Sequence, residues 1–277
     1  MNKLINSFKK SKFLSIKHSN YFRIYDQIFN KYKNKKITIV EIGILNGGSL
    51  FMWKDYFKKR ARIIGIDLNP KAKKWKKYGF DIFIGDQSNV LFWKKFFKQV
   101  GKVDIIIDDG GHTNKQQIIA LNETIPFIKH NGMLVIEDVH SSYMTKFSNP
   151  SKYSFINYCK KLIDQLNHKS NLINFKKINN FQKKIFSIEF FQSMVVFNIG
   201  NDTKIDSKEV SNNGKSDNSK DFRYFNNLNL LDRIFIKLSY LQIKKFKSLY
   251  FLKLNRYLTY KLSFFTDKII KKIFNKN

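Results

Sequence analysis

Val40-Glu41-Ile42-Gly43-Ile44-Leu45-Asn46-Gly47-Gly48-Ser49 is the stretch on which the fold turns. It closes an apolar run that begins at Ile37, and Ile37–Ile42 reads as a buried strand. The glycines that follow let the backbone bend sharply and bring its N–H groups near a ligand at the start of a helix. A glycine pair after a strand is weak evidence alone. Leu45 stands where the dinucleotide fingerprint requires its middle glycine, so the spacing disfavours a nicotinamide cofactor.

Outward from this turn, apolar runs alternate with helical stretches. Strands are expected at Ile37–Ile42, Arg62–Asp67, Phe80–Ile84, Val103–Asp108 and Met133–Glu137, and helical character at Leu50–Phe57, Val90–Phe97 and Gln117–Ile128. Strands separated by crossover helices imply an α/β fold with a mostly parallel sheet covered on both faces. Tyr21, Ile24, Tyr25, Ile28, Phe29 and Tyr32 recur at helical spacing before the core, and Tyr153–Leu166 reads as a further helix. Ile185–Phe191 and Met194–Ile199 lie too close for a crossover and read as an antiparallel hairpin closing the sheet at seven strands. The expected organisation is a helical N-terminal segment over 1–36, a ligand-binding domain over 37–200, a polar linker over 201–221 and a basic, helical C-terminal extension over 222–277.

The chain has 277 residues, enough for one sizeable domain and an appendage. Ten of its twelve glycines fall between Gly43 and Gly132, which concentrates the chemistry there. Cys159 is the single cysteine, so no internal disulfide forms and a reducing, cytoplasmic setting is expected. No secretory h-region and no apolar run of membrane-spanning length is present. The net charge of +31 comes almost wholly from lysine. Abundant Asn, Ile and Phe accompany it, as coding bias would produce, and nucleic acid is not the partner this composition favours, because phosphate recognition would call for more arginine.

Three strand ends carry the first set of candidate residues. Glu41, Gly43, Gly47 and Ser49 surround the opening turn, Asp67 ends the second strand, and Asp86 follows the third. A carboxylate at the end of the second strand can accept both hydroxyls of an adenosine ribose, and Asp86 is placed for the adenine edge. The competing reading makes Asp67 and Asp86 loop caps. The second set ends the fourth and fifth strands, in Asp108-Asp109-Gly110-Gly111-His112 and Glu137-Asp138-Val139-His140. Acids converging there need protons or a cation, and oxygen ligands favour a hard ion such as Mg²⁺. His112 is the candidate base for a hydroxyl whose pKa the ion lowers. Against this, acid pairs at strand ends also serve as helix caps, and His130 and His168 read as surface or core residues.

The motifs V-E-I-G-x-x-x-G-G-S-L, I-D-D-G-x-H and I-E-D-x-x-x-S-Y resemble those of the metal-dependent macrolide sugar O-methyltransferases, over about residues 17–199. The resemblance implies a Rossmann-like class I methyltransferase fold and S-adenosyl-L-methionine as cofactor, with Glu41, Gly43 and Asp67 at cofactor positions. It assigns Asp109, Glu137 and Asp138 to Mg²⁺, and His112 to the base. Asp108, in the same I-D-D motif, is grouped with the cofactor residues. Gly111 stands where the family often has Ser. Ser142 and Tyr143 match the motif's S-Y and would help shape an acceptor pocket, with His18 and His140 nearby in an undecided role. The expected acceptor is a small-molecule or lipid-linked sugar hydroxyl; a different small-molecule acceptor, or a non-catalytic cofactor- or glycan-binding protein, are the alternatives.

Leu258, Leu262, Phe265, Ile269 and Ile273 fall on one helical face, with Lys261, Lys268, Lys271 and Lys272 off it. Such a stripe can rest on an anionic membrane, giving a peripheral association, or pack on the core or on a second copy in a homo-oligomer.

Overall fold

A computed structural model of the chain describes residues 3–58, 60–147, 150–167, 184–200 and 210–215. His168 and the residues of the basic stripe lie outside them. The chain divides between Ser207 and Lys208 into two units, and of the second only 210–215 are described.

Within the first unit the described residues form one seven-stranded sheet. Its strands are β1 (Ile37–Ile42), β2 (Ala61–Asp67), β3 (Asp81–Ile84), β4 (Val103–Asp108), β5 (Ile128–Ile136), β6 (Ile185–Phe191) and β7 (Met194–Ile199), in the order β3-β2-β1-β4-β5-β7-β6. β1 pairs in parallel with β2 and β4, and β7 pairs antiparallel with both β5 and β6. The order reverses between β1 and β4, so ligands are expected at the carboxyl ends of these two strands.

Alternation along β1 explains the two covering layers. Ile37 and Ile39 join a core with helices α1 (Lys3–Lys9), α2 (Tyr21–Phe29) and α3 (Gly48–Phe57). Val40 and Ile42 point to the opposite face, against α4 (Val90–Val100), α5 (Asn114–Thr124) and α6 (Phe155–Asn167). Side chains such as Trp53, Phe29, Trp93 and Phe197 are wholly buried in these layers. Each contributes roughly 1.5–3 kcal/mol by leaving water.

The structure departs from the expected boundaries around α5. The helix starts earlier, because Thr113 and Gln116 form a reciprocal capping box. It ends at Thr124, two residues before Pro126, and a 3-10 turn over Ile125–Phe127 leads into β5. That strand begins at Ile128 rather than Met133, its pairing with β4 interrupted by a register shift. Between β2 and β3 the crossover is a 3-10 helix, Pro70–Tyr78, opened by the Asn69 side chain.

Candidate active site

At the carboxyl ends of β1 to β5 lies a cleft of about 470 Å³. Ile42 to Asn46, Asp67, Asp86, Gln87 and Asp109 to His112 line it, together with Leu14 to Ile16 from the segment before α2. The β1 turn is shaped by two left-handed glycines. Gly43 has φ +82°, and a Cβ there would strike the carbonyl oxygen of Asp109. Gly47, at φ +72°, caps α3 against the Trp75 ring and does not line the cleft.

On the β2–β3 side the acids are satisfied by nearby backbone. Asp67 Oδ2 accepts from the N–H groups of Ile44 (3.1 Å) and Leu45 (3.0 Å), and its Oδ1 from that of Asn69. It thereby holds the β1 turn open as a lip. Asp86 accepts from the backbone and hydroxyl of Ser88. Both acids are half-buried and line the cleft.

The β1, β4 and β5 ends carry buried acids. Glu41 is fully buried and accepts a 2.6 Å bond from Ser49 Oγ. Asp108, also buried, accepts from both directions of the loop, through Gln87 Nε2 (2.9 Å) and the Gly110 N–H (3.1 Å). Burial pushes its carboxyl up to about 6, against the opposing bonds from Gln87 and Gly110. Neither Glu41 nor Asp108 lines the cleft, so each touches it through the residue it holds.

Asp109, His112 and Asp138 meet at the cleft. His112 Nε2 lies 3.8 Å from Asp109 Oδ1 and 3.5 Å from Asp138 Oδ2. His112 and Asp138 both adopt left-handed backbone, at φ +58° and +54°. Two strained non-glycine residues side by side are characteristic of a functional site. The His112 carbonyl is held by Ser141 Oγ at 2.7 Å. One ligand atom from each of Asp109, His112 and Asp138 lies within 4.8 Å of the others, spacing that fits a single metal ion. His18, Asp138 and His140 form a second such group on the exposed rim. His130 is exposed and apart from both.

Glu137 sits behind these residues, 1% exposed. Its Oε1 accepts from Lys17 Nζ (2.7 Å) and from the Tyr25 hydroxyl. Lys17 Nζ also donates to Asp109 Oδ2 at 2.6 Å and lies 3.6 Å from Glu41 Oε1. Burial opposes the Lys17 charge, but Asp109, Glu137 and Glu41 outweigh it and hold the ammonium well above its usual range. One ammonium cannot neutralise three acids, and burial, followed by the neighbouring Asp109 charge, pushes the Glu137 carboxyl well up. The Tyr21 hydroxyl donates to Asp138 Oδ1 at 2.6 Å and accepts from the Asp138 N–H. Lys17, Tyr21 and Tyr25 were absent from the expected site residues. Ser142 is buried near Asn114, whereas Tyr143 is 66% exposed.

Residues 40–139 match the family described as "Methyltransferase domain". The chain is 30% identical over 158 residues to the 8-demethyl-8-alpha-L-rhamnosyl tetracenomycin-C 2'-O-methyltransferase of Streptomyces olivaceus, covering 53% of this chain and 41% of that one. To the demethylmacrocin O-methyltransferase of Streptomyces fradiae it is 32% identical over 156 residues, covering 52% and 39%. The chain thus matches about two fifths of the length of these relatives. Among solved structures, the mycinamycin-pathway methyltransferase MycE, in complex with Mg and SAH, superposes with a TM-score of 0.63 at 24% identity, over 73% of this chain and 54% of that one. The shared fold is the Rossmann-like methyltransferase sheet.

Proposed function

With a methyltransferase domain over residues 40–139 as premise, we propose that this chain methylates a sugar hydroxyl. S-adenosyl-L-methionine would be the donor and Mg²⁺ the assisting ion. The observation that carries the reading is the meeting of Asp109, His112 and Asp138 beside a cleft at the topological switch point. The named activities of the relatives support the sugar acceptor, and the Mg and SAH named for MycE support the cofactors.

The donor would lie in the cleft, with Asp67 toward its ribose, Asp86 and Gln87 toward its base, and Gly43 leaving room for its amino-acid end near Ser49. When bound, it supplies an electrophilic methyl group on sulfur. Asp109 and Asp138 would hold the ion, with Glu137 the third residue of the expected set. A hard cation prefers their oxygens to an imidazole, which leaves His112 Nε2 for the acceptor's proton. As His112 takes that proton it becomes cationic, and the two flanking carboxylates stabilise the imidazolium. Ser141, holding the His112 carbonyl, and Tyr21, holding Asp138, keep base and acid in place.

Labelled methyl transfer from S-adenosyl-L-methionine to a panel of glycosides tests this reading. We expect transfer by the wild type and a loss of about 10²–10⁴-fold in His112→Ala with cofactor affinity kept. Turnover unchanged in His112→Ala removes the base from the mechanism.

A lipid-linked acceptor is the finer form of the proposal, supported by the basic stripe of residues 258–273. No helix among the described residues is long and apolar enough to cross a membrane. Co-sedimentation of the full chain with anionic vesicles, lost when Lys261, Lys268, Lys271 and Lys272 become Glu, would support it. Equal partitioning of the two would count against it. Light scattering of the same samples reads whether the stripe joins two copies instead.

A further inference from the structure

Gln87 follows β3, yet both ends of its side-chain amide are engaged by the loop after β4. Nε2 donates to the two carboxylate oxygens of Asp108, at 2.9 and 3.0 Å, and Oε1 accepts from the Gly111 N–H at 3.1 Å. The residue is buried, and its own carbonyl accepts from Trp93 Nε1 at 2.9 Å, which anchors it to α4. The loop fits closely against it, since a Cβ at Gly110 would strike Gln87 Oε1. Next in the chain, His112 holds left-handed backbone at φ +58°. Such a conformation persists only where the surroundings enforce it. Ser141 Oγ fixes the His112 carbonyl on one side, and Gln87 fixes the residue before it on the other.

We propose that Gln87 is the positioning residue of the base loop, holding Asp108 and Gly111 so that His112 Nε2 stands beside Asp109 and Asp138. The inference rests on the proposed function for the role of His112 as base. Gln87 acts through its bonds to the loop and on no reacting atom. An amide suits the task because one tip carries the donor that a buried carboxylate needs and the acceptor that a backbone N–H needs. Methionine has a similar length and supplies neither. Its introduction leaves Asp108 and the Gly111 N–H short of partners in a buried setting, where an unmade bond is costly. The backbone of His112 is then free to relax out of its strained conformation.

Amide hydrogen exchange on the full-length chain reads this positioning without any acceptor. In Gln87→Met the Gly111 and His112 amides should exchange about tenfold faster than in the wild type, or more. The double variant Gln87→Glu/Asp108→Asn swaps amide and carboxylate, so the same contacts can form with donor and acceptor exchanged. Both rates should return to within about threefold of the wild type. Labelled methyl transfer to the glycoside panel gives the second readout. We expect kcat to fall about tenfold or more in Gln87→Met, KM for S-adenosyl-L-methionine to stay within about threefold, and the swap to restore kcat. Unchanged exchange at His112 overturns the proposal, as does faster exchange confined to Gly111, the mark of one lost bond. A swap that restores neither exchange nor kcat overturns it, and so does a raised KM with kcat kept, which would make Gln87 a donor-binding residue only. Should Gln87→Met not fold, Gln87→Asn, one methylene shorter, takes its place with the same expectations. S-adenosylhomocysteine titrated into the wild type keeps the two readings apart. Its failure to bind sinks the methyltransferase reading, while the exchange rates still decide whether Gln87 holds the loop.

Discussion

The two sides of the cleft satisfy their acids in opposite ways. On the β2–β3 side, Asp67 and Asp86 are half-buried and take donors from their own loops or from the adjoining β1 turn. On the β4–β5 side, Asp109, Glu137 and Asp138 take donors from Lys17, Tyr25 and Tyr21, which lie 92 to 120 residues away in sequence. The first arrangement makes a preformed lip whose carboxylates keep lone pairs for a ligand. The second makes a low-dielectric acid cluster whose charge is held in check by the N-terminal segment. Under the proposed function, substrate chemistry falls on the second side, where charge is costly and an ion or a proton has the largest effect.

The contrast can be broken by its pH dependence. Asp108 titrates near 6 in the folded protein, above the roughly 3.9 of an unfolded chain. Between those values the folded state keeps a proton that the unfolded state has lost, so stability falls as pH rises through this window. Relative to Asp108→Asn, which cannot lose that proton, the wild type should lose about 2 kcal/mol between pH ~4 and ~6. Urea melts across that range check it, and parallel curves for the two proteins would show that burial at the β4 end is not what we describe.

A smaller effect is expected from Tyr25→Phe. Removing the hydroxyl leaves Glu137 short of a donor in a dry site, at about 1–3 kcal/mol. Thermal unfolding at neutral pH measures the loss. A shift below experimental error would mean that Lys17 alone satisfies Glu137. Smallest of all should be Asp86→Asn, which keeps the local turn onto Ser88. We expect less than about 1 kcal/mol in stability, with the cost appearing in cofactor affinity instead. A large loss of stability in this variant would erase the distinction between the two sides.

Much of the fold was legible because its signals are local. Each strand is a short apolar run ended by a turn signal, and the hairpin follows from two runs separated by only Gln192 and Ser193. The Gly43 to Ser49 turn, Asp67, and the Asp109–His112 spacing sit in contiguous motifs. The α5 boundaries were missed because the capping box of Thr113 and Gln116 extends the helix beyond its apolar pattern. Lys17 was missed for a different reason. In a chain this rich in lysine, one more carries no signal, and only tertiary structure shows that its ammonium is enclosed by Asp109 and Glu137. Tyr21 and Tyr25 were read correctly as the buried face of a helix, but the hydroxyls at their far ends reach the acids of β5. Helical periodicity reports that a side chain is buried without reporting what its polar tip touches.

The central claim, a methyltransferase cofactor site built on the β1 turn and Asp67, is tested most directly by titrating S-adenosylhomocysteine into the wild type and Asp67→Ala by calorimetry. The account predicts one site per chain in the wild type and at least a tenfold loss of affinity in the variant, from the lost ribose bonds and the slackened Gly43–Leu45 lip. No binding to the wild type, or equal binding to both proteins, would contradict it.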